Sequence, residues 1–309
     1  MIFNQKQILK KFPWLGENDH RFIISADYDG LICASFLHHF LNWKLEGYYD
    51  FENIWLTDEG IKNKNNLIWV DLNILPSQGR AIGGHIITLN GKIPNGFKSS
   101  CNLNILAGVS AENFKQKYPF STILFLCWLH EIIIPNDNFV KCILLHADSV
   151  WLKIQHYKRN TINWSNILTN YNWNEFIDFS NSKIIEELID KKLYPELHML
   201  DAVSGKSKLK SKSRKIYSRE YKFNPDWDED VILSLLNFFT THLNWTSPEI
   251  PYIEKRITGK RNKILLSKVK KLGIEKTIKK HRIFSYAIPS IDIFNYTSFD
   301  TLKKSPINE

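Results

Sequence analysis

The run Phe22-Ile-Ile-Ser-Ala-Asp-Tyr-Asp-Gly-Leu-Ile-Cys-Ala-Ser-Phe-Leu37 constrains the fold of this chain more than any other stretch. A short apolar segment ends in two carboxylates one residue apart, a glycine follows, and a small-residue-rich apolar helix pattern begins at once. That is a strand turning directly into a helix. Short apolar runs go on alternating with helical patterns from residue 21 to 150. Strands are expected near 22–26, 53–57, 67–71, 85–89 and 140–147, and helices near 31–45, 110–117 and 121–133. Alternation of this kind predicts an α/β layer: a mainly parallel sheet with flanking helices.

Asp27 and Asp29 then fall at the carboxyl end of a strand, where ligands bind in open parallel sheets. Two carboxylates held this close repel unless a cation lies between them, and a hard divalent ion such as Mg²⁺ or Mn²⁺ acts on phosphate esters. A D-x-D-G turn can equally be a plain strand-to-helix connection in which an aspartate caps the helix. Further acidic strand ends favour the functional reading. Asn66-Leu-Ile-Trp-Val-Asp-Leu-Asn73 places Asp71 after an apolar run, and Val140-Lys-Cys-Ile-Leu-Leu-His-Ala-Asp-Ser149 does the same for Asp148. Between them, Ala81-Ile-Gly-Gly-His-Ile-Ile-Thr88 sets His85 behind two glycines. His146, two residues before Asp148 on the expected strand, faces the same side and suits an auxiliary ligand or phosphate contact.

The order of these motifs resembles the DHH phosphoesterase family over roughly residues 20–150, and Asp29-Gly-Leu-Ile-Cys-Ala-Ser-Phe-Leu37 is similar to that family's first helix start. The family's Asp-His-His signature reads here as Gly83-Gly84-His85, without the aspartate and one histidine. The resemblance implies that Asp27, Asp29, Asp71, His85 and Asp148 hold one or two Mn²⁺ or Mg²⁺ ions, with Asp29, Asp71 and His85 as catalytic residues. D-x-D-G also opens the haloacid-dehalogenase phosphatases, but there a threonine usually follows the glycine, and here Leu31 does.

The formal charge of +9 is unevenly placed. Residues 1–202 hold 19 basic and 21 acidic side chains, and residues 203–309 hold 22 and 11. Three parts are expected: an α/β phosphoesterase-like domain with a helical extension over 1–200, a Ser/Lys-rich linker over 204–222, and a smaller basic α+β domain over 223–309. A helix is expected over Ser182 to Leu193 and another starting at Pro225 with an acidic first turn. Residues 254–282 carry 12 basic and 2 acidic side chains, and Lys255, Arg256, Lys260, Arg261 and Lys263 are the candidate substrate contacts.

Four scattered cysteines without C-x-x-C spacing imply neither a zinc site nor a disulfide framework, and the amino-terminal residues lack a signal-peptide core, so a cytoplasmic protein is expected. The apolar run from Ser121 to Pro135 is too short to span a bilayer. The expected function is metal-dependent phosphodiester hydrolysis of single-stranded nucleic acid, an oligonucleotide or a nucleotide second messenger, with no membrane partner and with self-association left open. The alternative is a catalytically decayed DHH-like nucleic-acid or nucleotide binder, or a subunit of a larger, defence-type assembly.

Overall fold

A computed structural model of the chain describes residues 2–75, 80–202, 204–290 and 292–299. Twelve strands are described: β1 (Arg21–Ser25), β2 (Lys44–Tyr49), β3 (Asn53–Leu56), β4 (Ile68–Val70), β5 (Arg80–Gly83), β6 (Cys101–Asn102), β7 (Ser204–Lys210), β8 (Tyr217–Tyr221), β9 (Lys255–Thr258), β10 (Lys260–Leu265), β11 (Ile283–Ser290) and β12 (Ile293–Ser298). Seven of them form one sheet in the order β6-β5-β4-β1-β2-β3-β9. The neighbours from β6 through β2 pair in parallel, and β3 and β9 are added antiparallel at one edge. The expected α/β class with a mainly parallel, helix-flanked sheet is therefore correct, and a small antiparallel sheet, β10-β12-β11, lies in the C-terminal part.

Two compact units divide the chain, and they do not follow the sequential division expected. The sheet unit comprises residues 19–25, 43–118 and 251–309, and the helical unit 1–18, 26–42 and 119–250. In the sheet unit Phe284 and Phe299 pack into a core with Ile23, Tyr49, Trp69 and Ala81. The Leu75 amide donates to the Phe284 carbonyl at 2.7 Å. C-terminal residues thus contribute to the core of the parallel strands.

In the helical unit the helix Tyr28–Leu41 packs against the helices Thr122–Leu129 and Glu229–Leu243. Residues 28–37 are all buried, which matches an apolar pattern running round the whole helix. The Ser/Lys-rich run is a hairpin, β7 with β8, and not a linker. Its turn is fastened by the buried Glu186 carboxylate, which accepts from the Ser211 hydroxyl at 2.8 Å and from the Arg214 amide at 2.6 Å.

Several expected elements change. Residues 140–147 are not a strand: they belong mostly to the helix Asn138–His146, whose cap Asp137 accepts from the Phe139 and Val140 amides. An apolar run of this length fits a buried strand or a buried helix equally, and the cap decides. The expected strand 85–89 is irregular: the parallel strand is β5, which ends at Gly83. The Gly84 carbonyl is taken instead by the Asn104 side-chain amide at 2.5 Å. The expected helix 110–117 reduces to the 3-10 turn Phe114–Gln116. Among the described residues no helix is long and apolar enough to cross a membrane.

Candidate functional site

The strand order reverses at β1. The chain goes from β1 to β2 on one side, while β4, on the other side of β1, leads outward to β5 and β6. Carboxyl ends on either side of such a switch point form the crevice in which open α/β sheets bind ligands. Here that place is occupied by a polar cluster. Ser25, the last residue of β1, donates its hydroxyl to Asp71 Oδ2 at 2.8 Å. Asp71, the first residue past β4, holds His85 Nε2 at 3.0 Å from its Oδ1. Asp71 is buried, and the His85 side chain is 32 % exposed.

Local backbone geometry supports the cluster. Asp71 adopts φ +58°, a left-handed conformation that costs a non-glycine residue on the order of 1 kcal/mol. A Cβ on Gly84 would lie 2.5 Å from the Tyr118 ring, so the turn that delivers His85 admits no side chain there without displacing that ring. Beside it Asn102 donates to Asn73 Oδ1 at 3.0 Å, both residues being buried. Nothing in the sequence singles out Ser25: only the parallel register of β1 with β4 sets it against Asp71.

The chemistry of the cluster is limited by its connectivity. The Ser25 hydroxyl is given to the carboxylate, which it helps to hold in place. Asp71 orients the His85 ring through Nε2, and an imidazole so held is a group that can carry a proton. A carboxylate and an imidazole suit Mn²⁺ or Mg²⁺ as donors. Both Asp71 oxygens are already engaged, however, and among the described residues no three His, Cys, Asp or Glu side chains are grouped as ligands of one metal ion.

The other expected ligands lie in the helical unit, in other roles. Asp27 is the cap of its own helix, with Oδ1 accepting the Gly30 amide at 3.0 Å. Asp29 is buried, and its two oxygens accept the amides of Thr122 at 2.9 Å and Ile123 at 3.1 Å. It therefore covers the start of the helix Thr122–Leu129. Asp148 is not at a strand end but in the 3-10 turn Ala147–Ser149, with φ +53° and its carboxylate 3.5 Å from Lys153 Nζ. His146 is inside the core and not on a ligand-facing strand. The rings of Tyr28, Tyr194 and Tyr221 surround it at 4.9, 5.6 and 5.5 Å, and burial, helped by the Arg219 charge, lowers its pKa to about 3.

All five expected cationic contacts are exposed. Lys255 and Arg256 lie on β9, the edge strand of the large sheet, where lysine also blunts pairing with other sheets. Arg256 is partly committed, bonding Asn53 Oδ1 through Nε at 3.2 Å and lying 5.6 Å over the Trp55 ring. Lys260, Arg261 and Lys263 follow on β10, with Arg261 over the Phe51 ring at 6.0 Å. No protein family, curated protein or solved structure matches this chain.

Proposed function

We propose that this protein binds a phosphodiester polyanion, of the class of single-stranded nucleic acid, oligonucleotide or nucleotide second messenger, on the cationic surface of its sheet unit. The observation that carries this reading is the stretch 254–282, whose 12 lysines and arginines are all exposed against only Glu254 and Glu275. Cations gathered this densely repel one another, and a phosphate backbone relieves that repulsion while releasing its condensed counter-ions. The likeness of the first motif to DHH phosphoesterases supports the same ligand class. Four cysteines buried as thiols suit a reducing cytoplasm.

Affinity for a fluorescent single-stranded oligonucleotide should fall steeply with salt. Replacing Lys255 and Lys263 by serine should flatten the log–log slope by about 0.7 for each lysine that meets a phosphate. Absence of binding at about 50 mM salt, or a slope indifferent to both substitutions, would overturn the reading.

A second reading, Mn²⁺- or Mg²⁺-dependent phosphodiester hydrolysis, is favoured by the Asp71–His85 pair at the switch point. In it the His85 imidazole, oriented by Asp71, serves in proton transfer. Asp71→Asn should then lower hydrolysis of a labelled single strand by about 10²–10⁴-fold and leave oligonucleotide affinity in place. Wild-type protein that turns over none of these substrates with either ion added removes this reading.

A further inference from the structure

Two short basic helices, Leu266–Leu272 and Ile274–His281, meet at Gly273, where φ is +88°. They line an open cleft of about 560 Å³. Each helix contributes one face at the spacing of adjacent turns: Lys268, Lys271 and Leu272 from the first, Thr277, Lys280 and His281 from the second. Ile264 of β10 and the buried Val269 supply an apolar floor.

The charge around this cleft is one-sided. Lys268, Lys271 and Lys280 are exposed, no carboxylate lines the cleft, and none of the three lysines takes part in an ion pair among the described residues. Three ammonium groups around an apolar floor, with nothing to neutralise them, complement a ligand that is itself divided into an apolar body and an anionic end. A cleft of this volume is in the range that encloses a ligand of a few tens of atoms.

We propose that this cleft seats one nucleotide unit, with base and sugar on Ile264, Val269 and Leu272 and phosphates between Lys268, Lys271 and Lys280. The inference rests on the phosphodiester reading above and adds the place where a single nucleotide is held. It is distinct from the contacts expected at Arg261 and Lys263, which alternate along β10 to the face opposite Ile264.

The test uses the full chain and three probes: ATP and inorganic triphosphate by calorimetry, and a labelled oligodeoxythymidine by anisotropy. Lys271→Ser with Lys280→Ser should weaken ATP by about tenfold or more. Leu272→Ser should weaken ATP but not inorganic triphosphate, and Lys10→Ser, in the helix Gln5–Lys11, should leave ATP binding unchanged. All four positions are exposed, and a thermal melt of each variant checks that folding is retained. ATP binding that ignores Lys271 and Lys280, or inorganic triphosphate bound as tightly as ATP, overturns the proposal. Oligonucleotide binding without any ATP binding also overturns it, while leaving the phosphodiester reading in place. ATP binding lost in the cleft variants, with no oligonucleotide binding, upholds the cleft and removes the wider reading.

Discussion

Asp29→Ala should cost the protein about 2–4 kcal/mol of stability, read as a lower urea midpoint with an unchanged slope. The side chain is 3 % exposed, and its oxygens take the amides of Thr122 and Ile123 at 2.9 and 3.1 Å. Losing a cap alone costs about 1 kcal/mol. Here two buried N–H groups would also be left with neither carboxylate nor water, and each such group costs about 1–3 kcal/mol. Asp29→Asn keeps one acceptor oxygen and should retain part of the stability. Asp27→Ala, which removes the acceptor of the Gly30 amide at the start of its own helix, should cost about 1 kcal/mol through the lost cap. An Asp29→Ala protein as stable as wild type, yet inactive on phosphodiesters, would show that the carboxylate serves chemistry and not the helix.

Acid should unfold the helical unit well before its carboxylates titrate. His146 and His130 are buried and neutral, with pKa values lowered to about 3 and about 4, in both cases chiefly by burial. The sign follows from comparing the two states. Above pH 6.5, the ordinary histidine value, neither state binds these protons and the lowered values cost nothing. As pH falls below 6.5 the unfolded chain takes up the protons and the folded chain does not. Stability then declines by up to about 1.4 kcal/mol per pH unit for each histidine, until the folded-state values are reached. The loss by pH 4 is several kcal/mol, comparable with the whole stability of an ordinary domain. His146→Phe keeps an aromatic ring among Tyr28, Tyr194 and Tyr221 and should remove about half of this decline, read as a lower acid midpoint by far-UV circular dichroism. The same acid midpoint in His146→Phe as in wild type would refute the account.

Much of the fold was legible because its signals are local. The apolar runs at 22–26, 53–57 and 67–71 are β1, β3 and β4 within a residue or so, and the helix expected near 31–45 is Tyr28–Leu41, which starts earlier because Asp27 caps it and Gly30 lies inside its first turn. Residues 140–147 were not legible as a helix, because burial on all sides removes the periodicity that separates helix from strand. The C-terminal stretch is divided from its neighbours by charge, so it reads as a domain of its own. Its Phe284 and Phe299 nevertheless belong to the core of the parallel sheet, and no charge pattern reports that. Of the site, Asp71 and His85 were visible as a strand-end carboxylate and a glycine-flanked histidine, and the structure brings those two together.

By itself the sequence determined the α/β class, a strand-to-helix turn built on Asp27 to Gly30, and a C-terminal surface crowded with cations. Each of these depends on residues within a few positions of one another. Only the tertiary structure decided what the carboxylates do. Asp29 meets its amide partners 93 and 94 residues away, and Asp71 meets Ser25 across 46. A carboxylate looks the same in sequence whether it caps a helix, orients a histidine or holds a metal ion, because the donor that satisfies it is chosen by packing between distant segments.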